Sequence, residues 1–250
     1  MELPSVACVV DKDNTSKVRY SSFVQMSKFV VEFGTDGLPP ADGDGRLDAP
    51  AFRRNHEPIW QAIGDLLADK TGAVLEIGSG TGQHAVTYAQ RRPQLTWWPS
   101  DILASHLASI AAWRQAAALA NLRSPQSIDL MNADWTWQGA DDGKLAAILC
   151  FNVIHISPWT VAQNLFAGAG RLLADDGLLI LYGPYMRDGV HTAPSNAAFD
   201  ASLRTRNPEW GVRDLADVKV LALDNGLAPA AVVDMPANNL VLAFARNAGG

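Results

Sequence analysis

A glycine-rich stretch with two acidic residues near it is the clearest chemical signal in this sequence. Gly78, Gly80 and Gly82 lie in VLEIGSGTGQHA, after a short apolar run and before a segment with helical character. Such a loop can hold a nucleotide-type cofactor, because backbone N–H groups at a helix N-terminus point at the ligand. Glu76 precedes the loop and Asp101 follows it. These residue types therefore raise the question of which cofactor the loop binds.

The spacing of the glycines separates two classes of cofactor. A dinucleotide-binding loop reads G-x-G-x-x-G, whereas this loop reads G-x-G-x-G, with Gln83 where a third glycine would be expected. Glu76 would also repel a pyrophosphate. S-adenosylmethionine instead carries a sulfonium and an ammonium, which suit a nearby acid, and a carboxylate that backbone N–H groups can receive. The loop therefore predicts S-adenosylmethionine as the cofactor.

Asp101 ends the apolar segment QLTWWPSD. An acid at this place can accept hydrogen bonds from both ribose hydroxyls of a nucleotide cofactor, in nicotinamide and S-adenosylmethionine sites alike. Two simpler interpretations stay open at this point. Asp101 could cap the following helix, and the three glycines could form only a tight turn between a strand and a helix.

The stretch EIGSGTG and the downstream acid resemble the first two motifs of class I S-adenosylmethionine-dependent methyltransferases. Longer stretches resemble a narrower group, the methyltransferase-like protein 26 family and its bacterial relatives. These stretches are GRLDAPAFRRNHEPIW, SGTGQHA, FNVIHISPW, LYGPYMRDGVHTAPSNAAFD and MPANNLVL, and together they extend from about Gly45 to Arg246. The resemblance implies a Rossmann-like fold and methyl transfer.

The same resemblance implies which positions contact the cofactor. They belong to the glycine loop, the ribose site, the adenine pocket and the end of the fourth strand, and are Glu76, Gly78, Ser79, Gly80, Gly82, Asp101, Ile102, Asp129, Leu130 and Asn152. Within this set, Ile102 is expected to pack on the adenine ring. Asp129, with Leu130 beside it, is expected to contact the adenine amino group.

Candidates for catalysis follow the later strands. Methyl transfer needs mainly alignment and the exclusion of water, and needs a base only if the acceptor arrives protonated. His155, His191 and Tyr185 lie after predicted strands, where ligands bind in sheets of this class. His155 is equally compatible with a structural role under the next helix, and Tyr182, near Tyr185, with packing.

Two segments are predicted to enclose the acceptor. Polar residues crowd the segment from Arg187 to Asn196, which indicates a binding loop. The first helix is expected to begin near Pro58, because proline suits a first helical turn. Arg54 to His56 would then precede it and fold over the cofactor as a lid, unless Asn55 only caps the helix. We expect a closed, partly apolar pocket between these segments, since methyl transfer gains from excluding water.

The elements that must position these residues follow from the alternation of strand-like and helix-like segments after Ala49. This alternation predicts an α/β fold with a doubly wound, mostly parallel seven-stranded sheet. KLAAILCFNVI is apolar throughout and is typical of a central strand. AAVVDM and NLVLAFA, separated by PANN, predict a closing antiparallel hairpin at the C-terminus.

Residues 1–45 differ from the rest of the chain, because they end in the turn-rich, acidic stretch DGLPPADGDGR. We predict an N-terminal appendage and linker over residues 1–45 and a methyltransferase domain over residues 46–250. Cys150 lies in an apolar run, far in sequence from Cys8, which favours a buried thiol and a reducing compartment. The sequence shows no long apolar span and no secretory signal pattern, so we expect a cytoplasmic protein with no membrane partner.

The net charge of −6 makes nucleic acid an unfavourable partner, because nucleic-acid binders usually present a basic face. No cysteine or histidine cluster has metal-ligand spacing, so no metal is predicted. The sequence thus predicts an S-adenosylmethionine-dependent methyltransferase with a small-molecule acceptor. Open alternatives are a non-catalytic S-adenosylmethionine-binding protein and a methyltransferase acting on a protein or RNA. Glu76 and the missing third glycine disfavour a nicotinamide-dependent oxidoreductase.

Overall fold

The structure is a computed structural model that describes residues 43–139 and 143–246. The predicted appendage lies outside the described residues except for residues 43–45, and so does Cys8. Among the helices in the described ranges, none has both the length and the apolar character needed to cross a membrane.

Helices and strands alternate along the described residues, as the sequence predicted. The α-helices are α1 (Pro50–Ile63), α2 (Gln83–Arg91), α3 (Ala104–Ala117), α4 (Trp159–Leu172), α5 (Pro194–Arg206) and α6 (Leu215–Asp224). The strands are β1 (Gly72–Ile77), β2 (Leu95–Asp101), β3 (Gln126–Ser127), β4 (Leu145–Phe151), β5 (Leu173–Arg187), β6 (Val190–His191), β7 (Arg213–Asp214), β8 (Leu227–Met235) and β9 (Asn239–Arg246).

Seven of these strands form one sheet in the order β3-β2-β1-β4-β5-β9-β8. The first five run parallel to one another. Strand β9 is antiparallel to both β5 and β8, and a short 3-10 turn at Pro236–Asn238 joins β8 to β9. The predicted mostly parallel seven-stranded sheet with a C-terminal hairpin is confirmed. Strands β6 and β7 pair with the far end of β5, beyond this path.

The sheet is covered on both faces, which explains its apolar strands. Every residue of β4 is buried, as expected of a central strand in a doubly wound fold. One core joins the sheet to α4 and α6 through residues such as Phe166 and Val218. A second core on the opposite face joins it to α1 and α2 through residues such as Ile59 and Tyr88. Burial of such side chains, about 1.5–3 kcal/mol each, fixes the sheet from both sides.

The prediction that the first helix begins near Pro58 is wrong. Helix α1 begins at Pro50, with Ala49 as its N-cap, and Pro58 lies inside it. An internal proline removes one helical hydrogen bond, but Ile59 and Ile63 are fully buried beyond it and hold the helix against the sheet. Since Asn55 also lies inside α1, it does not cap the helix.

Candidate cofactor and acceptor site

The predicted site residues follow strands that end at the same edge of the sheet. The glycine loop follows β1, Asp101 ends β2 and Asn152 follows β4. In the strand order, β2 lies on one side of β1 and β4 on the other. The chain therefore adds strands first on one side of β1 and then on the other side. Ligands bind at such a switch point in doubly wound sheets.

The glycine loop combines tight packing with one open position. A Cβ atom on Gly78 would lie 2.5 Å from Cγ2 of Val153, and one on Gly82 would lie 2.9 Å from Cα of Ile110. A Cβ on Gly80 would meet no heavy atom of the described residues within 4 Å. Because α2 begins directly after this loop, a ligand above Gly80 would face a helix N-terminus, which favours a negatively charged group.

Asp101 connects the end of β2 to the glycine loop. Its Oδ2 atom accepts a hydrogen bond from the Gly80 N–H at 2.9 Å and lies 3.2 Å from Nδ1 of His106. Its Oδ1 atom accepts from the Leu103 N–H at 3.0 Å. Leu103, and not Asp101, is the N-cap of α3. Asp101 therefore fixes the glycine loop as well as the segment before α3, so the interpretation that it only caps the helix does not fit the structure.

Glu76 carries a carboxylate that lacks a partner on one oxygen. The side chain is only 2% exposed, and within the described residues its Oε2 atom has no hydrogen-bond donor. Burial, and after it the charge of Asp101, raises the pKa of Glu76 to about 8. A buried carboxylate without donors is costly, so this atom suits a cationic ligand.

The loops after β2 and β3 each expose one large apolar side chain. Ile102 is 45% exposed, as a residue that packs on an adenine ring would be before the ring binds. Leu130 is buried in the core, whereas its neighbour Met131 is 47% exposed. The Met131 N–H donates to Oδ1 of Asp129 at 2.8 Å, which turns the chain at this point. Met131 was not singled out from the sequence, since the turn that exposes it is a tertiary feature.

His155 and Tyr185 lie together beneath the sheet edge. Their ring centroids are 4.9 Å apart, and His155 is 1% exposed while Tyr185 is fully buried. Both imidazole nitrogens and the phenol oxygen lack hydrogen-bond partners in the described part of the chain. Burial, with a further contribution from the charge of Arg213, lowers the pKa of His155 to about 3. A Cβ on Gly183 would lie 2.4 Å from Nε2 of His155, so only glycine leaves room for this ring.

His191 belongs to a different pair. Its Nε2 atom lies 3.7 Å from Oδ2 of Asp200 on α5. Asp200 is itself fixed, because it accepts hydrogen bonds from Nε of Arg204 at 2.9 Å and from the Val212 N–H at 2.7 Å. The structure thus places a histidine of the predicted binding loop beside an acid, and the acid comes from a helix whose role the sequence did not reveal.

Gln83, which occupies the place of the missing third glycine, holds the segment before α1. Its Nε2 atom donates to Oδ1 of Asp48 at 2.9 Å, and its Oε1 atom accepts from the Ala49 N–H at 2.8 Å and from Oγ1–H of Thr81 at 3.1 Å. The start of α1 is therefore tied to the glycine loop. Sequence reasoning missed this role of Gln83, although its departure from the dinucleotide motif was the available signal.

The predicted lid segment, Arg54 to His56, forms part of α1. Oδ1 of Asn55 lies 3.0 Å from Nε2 of His84, in the first turn of α2. The hydroxyl of Tyr182, close to the end of β5, accepts a hydrogen bond from Nδ2 of Asn239 at 2.9 Å. Burial raises the pKa of the Tyr182 phenol, and hydrogen bonding by Asn239 and Asn55 opposes this rise. Helix α1 thus approaches the carboxyl ends of the strands on the side where the acceptor is expected.

Comparison with known proteins identifies a family and proteins of similar fold. The model of a family described as "Protein of unknown function (DUF938)" matches residues 46–246. An O-methyltransferase family protein from Burkholderia thailandensis superimposes with a TM-score of 0.63 at 18% identity, over 80% of this chain and 60% of that one. An O-methyltransferase family 2 protein from Planctomyces limnophilus, in complex with apigenin, superimposes with a TM-score of 0.61 at 16% identity, over 82% of this chain and 66% of that one.

Magnesium protoporphyrin IX methyltransferase from Synechocystis, with bound SAH (S-adenosylhomocysteine), gives a TM-score of 0.60 at 18% identity, over 85% of this chain and 90% of that one. The present chain spans about three fifths of the length of the Burkholderia protein. At these identities the similarity concerns the fold, which is the Rossmann-like methyltransferase fold.

Proposed function

The chain belongs to the DUF938 family of proteins of unknown function, and we propose that it is an S-adenosylmethionine-dependent methyltransferase with a small-molecule acceptor. The observation that carries this proposal concerns Glu76, just before the glycine loop. Among the described residues, its buried Oε2 atom has no hydrogen-bond donor, and the loop leaves open space above Gly80. Within the wider group, we propose kinship with the methyltransferase-like protein 26 family, on the sequence stretches that resemble it.

The residues present fit S-adenosylmethionine group by group. Glu76 would receive its ammonium, and the N-terminus of α2, which begins at Gln83 directly after the glycine loop, would receive its carboxylate. Asp101 would accept from the ribose hydroxyls, and the exposed side chains of Ile102 and Met131 would cover the adenine. When bound, the cofactor supplies an electrophilic methyl group.

For the catalytic candidates we propose two kinds of role. His155 is a weak base, because its pKa is lowered to about 3, and burial raises the pKa of Tyr185 well above its ordinary value. Both are buried, so in their neutral forms they would support the residues around the acceptor site from beneath. His191, which is partly exposed and lies beside Asp200, is the candidate that could accept a proton from an acceptor.

A small-molecule acceptor is supported by two observations. The chain is acidic, with a net charge of −6, which is unfavourable for a nucleic-acid substrate. Two of the proteins with the same fold are linked to small molecules. One is an O-methyltransferase family 2 protein in complex with apigenin, and the other is a magnesium protoporphyrin IX methyltransferase. Their substrates are not transferred to this chain.

SAH is expected to raise the melting temperature of the protein, and NAD is not. A ligand at about 100 times its Kd stabilises the folded state by ~2.7 kcal/mol, which corresponds to about 5–10 °C for a chain of this size. Differential scanning fluorimetry with each ligand at equal concentration measures the shift. Stabilisation by NAD alone would overturn the proposed cofactor.

Asp101→Ala is expected to weaken SAH binding by about one to two orders of magnitude, because a hydrogen bond to a charged group contributes ~1.5–3 kcal/mol. Asp101 also accepts from the N–H groups of Gly80 and Leu103, so Asp101→Asn serves as a control that keeps one acceptor oxygen. Isothermal titration calorimetry on samples with native circular dichroism gives the affinities. An unchanged affinity in folded Asp101→Ala would limit Asp101 to a structural role.

A further inference from the structure

The segment that follows β4, residues 152–157, packs directly against the glycine loop. A Cβ atom on Gly78 would lie 2.5 Å from Cγ2 of Val153, so Val153 lies against this glycine. Asn152 has a φ of 60°, a left-handed conformation that is unfavourable for residues other than glycine, although asparagine tolerates it better than most. Such a backbone persists only where its surroundings hold it. The packing at Gly78 therefore depends on what fixes this segment.

Donors from β7 and the residues just before it hold the segment through its carbonyl groups. Nε of Arg213 donates to the Ile154 carbonyl at 3.0 Å, and Nη2 of the same side chain donates to the Ser157 carbonyl at 2.6 Å. The Gly211 N–H donates to the His155 carbonyl at 2.9 Å. The three residues that carry these carbonyls are buried. Because buried carbonyls need donors, loss of the Arg213 side chain would remove a donor from two of them.

Arg213 is itself held in a fixed position. Its Nη2 atom also donates to the Glu209 carbonyl at 2.9 Å, and its guanidinium carbon lies 5.4 Å from the centre of the Trp159 ring, at the start of α4. Among the described residues, the acceptors of its side chain are all backbone carbonyls. The guanidinium thus acts as a fork that reaches several carbonyls at once, which the single nitrogen of a lysine cannot reproduce.

The neighbours of Arg213 are anchored on the acceptor side of the site. The Val212 N–H donates to Oδ1 of Asp200 on α5 at 2.7 Å. Oδ2 of Asp214 accepts from the Gly189 N–H at 2.6 Å, and its Oδ1 atom caps α6. The backbone that carries Arg213 is therefore tied to α5, to α6 and to the segment after β5, while its side chain reaches the segment beside the glycine loop.

We infer that Arg213 is a positioning residue for the cofactor site. Its guanidinium holds residues 152–157 in the conformation that keeps Val153 against Gly78 and Asn152 at the end of β4. Arg213 lies outside the proposed cofactor contacts and acts through this segment. The inference rests on the proposed function, because it concerns the same S-adenosylmethionine site.

The test measures SAH binding by calorimetry on the full chain, in samples with native circular dichroism. Arg213→Met keeps an unbranched apolar stem and removes the donors to Ile154 and Ser157. We expect it to weaken SAH binding at least about 10-fold, a change that the loss of hydrogen bonds from a charged group can produce. Arg213→Lys keeps the charge and one donor nitrogen, so its affinity should lie between those of the wild type and Arg213→Met.

Arg92→Met is the matched control. Arg92 is also half-buried, its Nη2 atom donates to the Gly64 carbonyl at 2.7 Å, and its guanidinium carbon lies 5.1 Å from the centre of the Trp60 ring. It follows α2, at the end of that helix away from the glycine loop. We expect Arg92→Met to lose stability in urea unfolding, as Arg213→Met does, but to keep SAH affinity within about twofold, as for distant, independent sites.

A double-mutant cycle with Val153→Ala tests the route from Arg213 to the loop. The effects of Val153→Ala and Arg213→Met on SAH affinity should be non-additive, because both act on the contact at Gly78, whereas Val153→Ala combined with Arg92→Met should be additive. In heteronuclear NMR spectra of the ligand-free proteins, the backbone amide signals of Gly78 and Gly80 should shift in Arg213→Met and stay in place in Arg92→Met.

Three results would overturn the inference while SAH still binds the wild type. They are wild-type SAH affinity in folded Arg213→Met, equal losses of affinity in Arg213→Met and Arg92→Met, and an additive cycle between Arg213→Met and Val153→Ala. Lower stability with unchanged SAH affinity would limit Arg213 to a structural role. If Arg213→Met does not fold, Arg213→Lys takes its place in the same measurements. Failure of SAH to bind the wild type would instead overturn the proposed function.

Discussion

Glu76→Gln is expected to make the ligand-free protein more stable than the wild type near pH 8, and at the same time to weaken SAH binding. Glu76 is buried, and its pKa is raised from 4.5 to about 8. Between these two pH values the folded state keeps the proton while the unfolded state releases it. The stability of the wild type therefore falls as the pH rises through this range.

The size of this effect follows from the shift. One pKa unit corresponds to ~1.4 kcal/mol, so a shift of this size amounts to several kcal/mol near pH 8 and to little near pH 4. Glutamine has nearly the same shape and does not ionise, so the variant loses this part of the pH dependence. Its amide oxygen can accept a hydrogen bond from an ammonium but cannot form an ion pair with it, and we expect SAH affinity to fall about 10- to 100-fold.

Urea unfolding of both proteins at several pH values measures the difference in free energy of unfolding. Glu209→Gln changes an exposed glutamate in the same way and should leave both stability and SAH affinity unchanged. If the difference between the wild type and Glu76→Gln stays constant from about pH 5 to about pH 8, then Glu76 does not carry the raised pKa, and the main support for the proposed cofactor site is lost.

Lower stability of the free protein together with tighter ligand binding would explain why the protein keeps a glutamate without a partner on Oε2 in its core. A protein selected only for stability would replace Glu76 by a neutral or apolar residue, because desolvation of its charged form is unfavourable. Residues that cost stability in the free protein are common at ligand sites. The same buried position that destabilises the carboxylate would strengthen its attraction to a cationic ligand.

Local patterns in the sequence were sufficient to predict the sheet and the glycine loop. The apolar run through β4 and the PANN turn between β8 and β9 each act over a few residues, so composition and spacing identify them. The start of α1 was missed because Pro50 and Pro58 both suit a helix start, and only packing distinguishes them. Side-chain direction was missed for a similar reason: the turn at Asp129 buries Leu130 and exposes Met131.

On the acceptor side of the site, too, the sequence could not predict which way the side chains point. Tyr182 and Tyr185 are three residues apart on β5, so they lie on opposite faces of the strand. Tyr182 packs in the core beneath α1 and α2, and Tyr185 in the core beneath α4 and α6. The sequence could not assign these faces, because they depend on which helix crosses to which side of the sheet. The pairing of His191 with Asp200 likewise depends on where α5 packs.

Gly82→Ala and Gly80→Ala are expected to separate stability from cofactor binding within one loop. Both glycines have a positive φ, 91° at Gly82 and 56° at Gly80, where an alanine costs about 1–2 kcal/mol. At Gly82 the new Cβ would also lie 2.9 Å from Cα of Ile110. Backbone atoms cannot move aside as a flexible side chain can, so overpacking should add about 1–3 kcal/mol.

At Gly80 the new methyl group would meet no heavy atom of the described residues within 4 Å. We therefore expect Gly80→Ala to lose only the backbone contribution, about 1–2 kcal/mol. The methyl group would however project into the space proposed for the methionine carboxylate, so SAH affinity should fall more than 10-fold. Gly72→Ala is the matched control, since Gly72 has a φ of 99° and an equally open environment at the start of β1, away from the loop.

Urea unfolding and SAH calorimetry on the three variants give both quantities. We expect Gly82→Ala to lose clearly more stability than Gly80→Ala and Gly72→Ala, which should lose similar amounts. The expected loss of affinity places Gly80→Ala clearly above Gly72→Ala. If Gly80→Ala bound SAH as tightly as Gly72→Ala, the open position above α2 would not be where the cofactor lies, because a methyl group there could not be accommodated beside a bound carboxylate.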